Sequence, residues 1–191
     1  MIKQIELKNY KSYDRTVVNF KPVTILCGGN SSGKTAIIKS ILLMKQSFEA
    51  TGNNYLLING PYTNNGLYKS TQKNNHIRES DTEMGISVSF EIERENPSFK
   101  EICRSMGMIK HQSDISSINI DADFQFEENA AMPQVGEIAS CAVSVIIHYN
   151  DDAACFSKES VVSKILMTRG SYEQQYSIAL EYFPTPLYAN T

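Results

Sequence analysis

Between a short apolar run, Val23-Thr24-Ile25-Leu26-Cys27, and an amphipathic segment that follows stands the octet Gly28-Gly29-Asn30-Ser31-Ser32-Gly33-Lys34-Thr35. Gly28, Gly29 and Gly33 place no Cβ in the way of a tight turn, so successive backbone N–H groups can point inward around an anion. Lys34 supplies a point charge there and Thr35 a hydroxyl able to ligate Mg²⁺. The positive end of the following helix dipole adds to the same field. A phosphate chain is the ligand such a loop suits. With average residue usage, its four fixed positions would coincide by chance in roughly 0.6% of chains this long. A glycine-rich surface turn with an incidental lysine is the poorer reading.

The flanking segments agree. Val23 to Cys27, introduced by Pro22 and rich in β-branched residues, predicts a buried parallel strand. Ile37, Ile38, Ile41, Leu42, Leu43, Met44 and Phe48 predict a helix whose apolar face persists through about four turns with no proline. Upstream, Met1 to Phe20 predicts a hairpin. Ile2, Ile5 and Leu7 lie in its first strand, Asn9 to Arg15 form a polar turn, and Thr16 to Phe20 a second strand.

This order, MIKQIELKNYKSYDRTVVNFKPVTILCGGNSSGKTAIIKSILL, resembles the start of the ABC-type ATPase heads of RecF, the SMC proteins, the double-strand-break repair ATPases and the OLD-family proteins. It is most similar to the smaller bacterial RecF- or OLD-like ATPases, several of which serve in phage defence. Leu57-Ile58-Asn59-Gly60-Pro61 with Gly66 also looks like a stretch found after the helix in such proteins. The likeness covers about the first 70 residues. It implies ATP and Mg²⁺ as ligands, held by Gly28, Gly29, Asn30, Ser31, Ser32, Gly33, Lys34, Thr35 and Ala36. Lys34 would also act on the transferring phosphate, and Thr35 would ligate the metal. The basic residue of the family's hairpin turn approaches the nucleotide and maps onto Lys11, with Ser12 and Tyr13 nearby; read without the family, Lys11 is a solvated turn lysine. A glutamine some forty residues past the loop senses Mg²⁺ in the family, and Gln72 is the well-spaced candidate, within a polar stretch from Thr63 to Asn75 whose side chains could equally face water.

Complete heads of this type also carry an apolar strand ending in Asp-Glu and a Ser-Gly-rich signature. Neither is evident. The nearest imitation, Ser177-Ile178-Ala179-Leu180-Glu181, has one carboxylate and reads better as an ordinary strand. The chain therefore looks like the N-terminal lobe of an ABC-type head that is truncated, split or degenerate.

Beyond the helix the hydrophobic period becomes two. Ile86, Val88, Phe90 and Ile92 alternate, as do Ile118, Ile120, Ala122, Phe124 and Phe126; Ala142 to Ile147, Val161 to Thr168 and Tyr176 to Tyr182 are further runs. Turns such as Asn150-Asp151-Asp152 and Arg169-Gly170 separate them, so they predict an antiparallel sheet packing one face. A short helix from Phe99 to Met108, after Pro97, interrupts it, and Pro184-Thr185-Pro186 suits a boundary. The fold class is thus α/β (α+β): a P-loop core with an N-terminal hairpin and an antiparallel lobe. One ATP-binding domain over 1–191 is expected, with hairpin, loop strand and helix in 1–50, a polar connecting segment in 51–84 and the β lobe in 85–183.

At 191 residues, 41% of them hydrophobic, the chain can bury a sizeable core. No apolar run approaches the ~18 residues needed to span a bilayer, and no signal peptide is evident, so a cytoplasmic protein without a membrane partner is expected. Cys27, Cys103, Cys141 and Cys155 are scattered and read as small buried apolar groups rather than metal ligands. His76, His111 and His148 show no ligand spacing. Residues 1–49 hold eight Lys and Arg against three Asp and Glu, the remainder ten against eighteen. The excess near the loop serves a triphosphate, and autonomous nucleic-acid binding has little support. Two functions compete. In the first, ATP joins two heads as a homodimer or head-to-head assembly and hydrolysis releases them, gating a nuclease or other effector, or DNA within a larger assembly. In the second, a non-hydrolysing module uses ATP as a structural ligand.

Overall fold

A computed structural model describes residues 1–50, 55–73, 83–106, 108, 112–150, 159–169 and 176–181, the last two stretches as strand backbone. Eight strands form one sheet: β1 (Ile2–Tyr10), β2 (Tyr13–Asn19), β3 (Tyr55–Leu57), β4 (Met84–Glu93), β5 (Ile115–Glu128), β6 (Val135–Tyr149), β7 (Glu159–Arg169) and β8 (Tyr176–Glu181). Their order is β2-β1-β4-β5-β6-β7-β8, with β3 pairing β6 off this path, and every pairing is antiparallel. Among the described residues three helices accompany them: α1 (Lys34–Glu49), α2 (Tyr68–Thr71) and α3 (Phe99–Ser105).

Alternation decides which face is buried. Ile86 pairs with Phe124, Val88 with Ala122 and Phe90 with Ile120. Between those rungs, Ser87 faces Asp123 and Ser89 faces Asp121. One side is therefore apolar and carries the helices, and the other is polar. Against the apolar side α1 buries Ile37, Leu43 and Met44 among Ile5, Leu7, Ile86 and Phe124. A second cluster, Phe99, Cys103, Ile115, Ile118, Ile147 and Tyr149, sits under α3.

Several expectations are corrected. The hairpin is tighter than the Asn9–Arg15 turn: Tyr10 pairs with Tyr13, leaving Lys11 and Ser12 as the connection. The residues from Val23 to Cys27 form no ladder, and Val23 and Ile25 are 79% and 80% exposed instead of buried. Their composition suits a strand, but no other described strand lies alongside to complete the pairing. On α1, Ile38 is 52% exposed, outside the stripe that the sheet covers, and Phe48 is 59% exposed, meeting Phe124 only edge-on at 5.6 Å between ring centroids. Cys27 is exposed, while Cys103 and Cys141 are buried. The stretch between α1 and β4 contains β3 and α2. The helix expected to reach Met108 ends at Ser105. Cys155, His76, His111, Asp151, Asp152, Gly170, Tyr182 and Pro184 to Pro186 lie outside the described residues.

Gln46, near the C-terminal end of α1, ties the helix to the segment that follows. Its Nε2 donates to the Leu57 carbonyl, and its Oε1 accepts from the Thr63 N–H at 3.0 Å. Gln46 is buried, so replacing it with an apolar residue takes this partner from the buried Thr63 N–H and the part-buried Leu57 carbonyl, at up to about 1–3 kcal/mol each. Gln46→Leu is expected to destabilise the chain by about 2–4 kcal/mol, seen as a lower urea midpoint with an unchanged slope. An unchanged midpoint would mean that the loop from 58 to 66 is held by other contacts.

Candidate phosphate-binding site

α1 begins at Lys34, with Gly33 as its N-cap in the left-handed region at φ 92°. Ser31 shares that region at φ 61°, and Gly28 lies at its edge at φ 154°. These reversals curl the chain tightly enough that Gly33 O accepts from Ala36 N at 2.8 Å, opening the helix. The helix has no side-chain cap and no acidic residue in its first turn. Nothing in α1's own first turn therefore offsets the positive end of its dipole, which is left to an outside anion.

The lysine occupies its own loop. Lys34 Nζ donates to Gly28 O at 2.8 Å, to Gly29 O at 2.5 Å and to Ser32 Oγ at 3.2 Å. The loop is thus curled to the size of a small charged group, and the ammonium stands where it can pass from carbonyl oxygens to phosphate oxygens. A Cβ on Gly28 would press on Ser32 Oγ at 2.8 Å, whereas one on Gly29 would meet nothing within 4 Å. The curl therefore needs a glycine at Gly28 and leaves Gly29 open to approach. These features fit a nucleotide's phosphates. Thr35, exposed on the first turn, offers a hydroxyl for Mg²⁺. Among the described residues no group of three His, Cys, Asp or Glu converges on a metal. When bound, the metal would neutralise charge on the transferring group.

The hairpin turn lies directly against the loop. Tyr13 Oη donates to Ser32 O at 3.4 Å. A Cβ built on Gly33 would fall 2.6 Å from Tyr13 Cζ, closer still to its Oη, and 3.0 Å from Ser12 Oγ. On its other side the turn meets the segment after α2: Lys11 N donates to Thr71 O at 2.7 Å, and Tyr10 bridges Gln72. Lys11 and Gln72, sixty-one positions apart, are thus neighbours in space. Lys11 itself sits at φ 53°, a backbone region uncommon for lysine. Its ammonium lies 3.4 Å from the Ser70 carbonyl rather than among the loop atoms, and its pKa is lowered by burial and then by the charge of Lys39. Lys39 was not singled out by the sequence; its spacing on α1 carries no mark of its own, and only the packing of the turn brings it to Lys11.

Glu181, the solitary carboxylate of the imitation Asp-Glu strand, ends β8 at one edge of the sheet, and the hairpin that abuts the loop forms the opposite edge. The sheet order separates it from the phosphate cradle by the intervening strands.

A glycine-rich loop at a helix N-terminus, with a β-hairpin against it, fits a nucleotide-binding domain of the ATPase type. The chain belongs to the AAA ATPase domain family, which matches residues 1–164. It is also similar to the DNA replication and repair protein RecF of Lysinibacillus sphaericus (strain C3-41), at 39% identity over 59 residues. That match covers 29% of this chain and 16% of the RecF protein's length. The chain is accordingly an ATPase-family protein of the RecF/SMC/OLD-like superfamily. Among its described residues no helix is long and apolar enough to cross a membrane.

Gly33→Ala combines a strained φ with a clash against the Tyr13 ring, for an expected loss of about 2–4 kcal/mol. Gly29→Ala meets nothing within 4 Å and is expected to change stability by less than about 1 kcal/mol. Urea unfolding of the two variants checks the contrast; equal effects would mean that the turn does not press on the loop.

Proposed function

We propose that this chain is the ATP-binding lobe of an ABC-type, RecF/SMC/OLD-like ATPase, in which bound ATP draws two heads together and hydrolysis releases them to gate a DNA-related or antiphage effector. One observation carries the reading: the Gly28–Thr35 loop curls around the Lys34 ammonium at the N-terminus of a helix that has no acidic residue in its first turn. Triphosphate would take over the ammonium and the first-turn N–H groups together, with Mg²⁺ held by Thr35 and aided by Gln72. Lys11 and Lys39 would add positive potential from the flank.

Exposure of Val23 and Ile25 on an unpaired segment supports a larger assembly, since neighbouring apolar side chains left in water commonly mark an interaction surface. Phosphoryl transfer depends on placing charge and orienting water. The paired Asp-Glu strand and the signature that do so in complete heads are proposed to come from a further lobe or a second head, whether on the same polypeptide or another. DNA, a nuclease or another effector would engage that assembly and not this lobe alone.

Mg-ATP is expected to raise the melting temperature, with ligand at 100 times Kd adding about 2.7 kcal/mol of stability, and Lys34→Ala is expected to abolish the shift. A steady-state assay on the same preparation should show negligible turnover. No shift at millimolar ATP would refute the nucleotide reading. Turnover on the order of 1 s⁻¹ that vanishes in Lys34→Ala would refute the need for a second lobe, because that rate is ordinary for a complete enzyme. A shift that persists when the missing lobe is supplied without restoring turnover would favour the non-hydrolysing module.

A further inference from the structure

Two side chains donate to Ser32, one to its hydroxyl and one to its carbonyl. Lys34 Nζ donates to its hydroxyl at 3.2 Å, and Tyr13 Oη donates to its carbonyl at 3.4 Å. The Ser32 carbonyl and the Gly33 N–H belong to one planar trans peptide, so they point in opposite directions. A donor that fixes the carbonyl therefore also fixes where the N–H points. The Tyr13 ring lies against the Cα of Gly33, where a Cβ would fall 2.6 Å from Cζ, so the same residue also limits rotation of that peptide sterically. Gly33 is the N-cap of α1, so its N–H is among the backbone donors that the start of the helix leaves for an anion.

We infer that Tyr13 is a positioning residue for phosphate binding: its hydroxyl, on the Ser32 carbonyl, aims and polarises the Gly33 N–H toward the anion. Polarisation follows because a carbonyl that accepts a hydrogen bond makes the N–H of its own peptide a stronger donor. Tyr13 itself touches no phosphate in this arrangement. It acts through the peptide, from the edge strand β2 and a turn that is also anchored to Thr71 and Gln72. The hairpin thereby becomes a brace for the loop, and its register, Tyr10 opposite Tyr13, sets the height at which the hydroxyl arrives. This inference rests on the proposal that the loop takes a nucleotide, but one arm of its test needs none.

Tyr13→Phe keeps the ring and removes the hydroxyl. In ¹⁵N–¹H spectra of the free 191-residue protein, the Gly33 amide proton is expected to move upfield in the variant, while the melting temperature stays unchanged. In a Mg-ATP titration, Kd is expected to rise roughly two- to tenfold, as for loss of one hydrogen bond, with a smaller bound-state displacement of the Gly33 amide. Tyr13→Ala, which also removes the ring, should weaken binding further. An unmoved Gly33 resonance in the free variant would overturn the inference whatever the nucleotide does. Equal Kd in wild type and Tyr13→Phe would overturn it as well. Weaker binding accompanied by a lowered melting temperature and shifts spread through the hairpin would assign Tyr13 to packing instead. A wild-type protein that binds no Mg-ATP would refute the nucleotide reading, and the free-protein arm would still decide whether Tyr13 orients the peptide.

Discussion

The burial of α1 on the apolar face of the sheet governs everything at the loop. Ile37, Leu43 and Met44 settle among Ile5, Leu7, Ile86 and Phe124, and Gln46 fastens the far end through Leu57 and Thr63. With the helix fixed at these points, its first residue must fall beside the β1–β2 turn, because β1 supplies part of the surface on which the helix rests. Gly33 then meets Tyr13 at a distance that admits no Cβ. A loop placed in this way has little freedom to relax. Its shape is imposed from two sides, by the helix it begins and by the hairpin it touches.

Electrostatics follow from the same placement. The helix brings the positive end of its dipole to the loop without an acidic residue in the first turn to offset it, and Lys34 folds back onto carbonyl oxygens of the loop itself. Lys11 and Lys39 stand close enough that one charge lowers the pKa of the other. Nearby acidic groups are engaged elsewhere, as Glu6 is with Arg15 and Asp14 with Lys73. Positive potential converges on one corner of a chain whose overall charge is −3. An anion with several oxygens would relieve that concentration more fully than a chloride or a single carboxylate.

Some of this was legible in the residues and some was not. β4 and β5 could be read because one face packs and the other meets water, which forces Ile86, Val88 and Phe124 to alternate with Ser87, Asp121 and Asp123. The octet was legible because glycine spacing reports backbone curvature directly. β3 and α2 escaped notice because they are only three and four residues long and depend on distant partners: Tyr68 packs against the bare Cα of Gly136 and donates to the Phe126 carbonyl at 2.6 Å. β6 runs well before the apolar block Ala142–Ile147, and that extension buries Glu137, which accepts a hydrogen bond from Asn129. A buried carboxylate of this kind disguises a strand in any hydropathy pattern. Val23 to Cys27 shows the converse, since strand-like composition cannot form a ladder without a neighbour. At the site, resemblance pointed to Lys11, with Ser12 and Tyr13 only as its neighbours, whereas the contacts with the loop are made by Tyr13 and Ser12, where Gly33 lacks a Cβ.

A crystal structure of the chain grown with Mg²⁺ and a non-hydrolysable ATP analogue would show whether the loop takes a nucleotide. The triphosphate is expected inside the Gly28–Thr35 curl, with Lys34 Nζ moved from the Gly28 and Gly29 carbonyls onto phosphate oxygens and the metal beside the Thr35 hydroxyl. An analogue bound elsewhere on the sheet, or a loop that still holds Lys34 on its own carbonyls at saturating ligand, would contradict it.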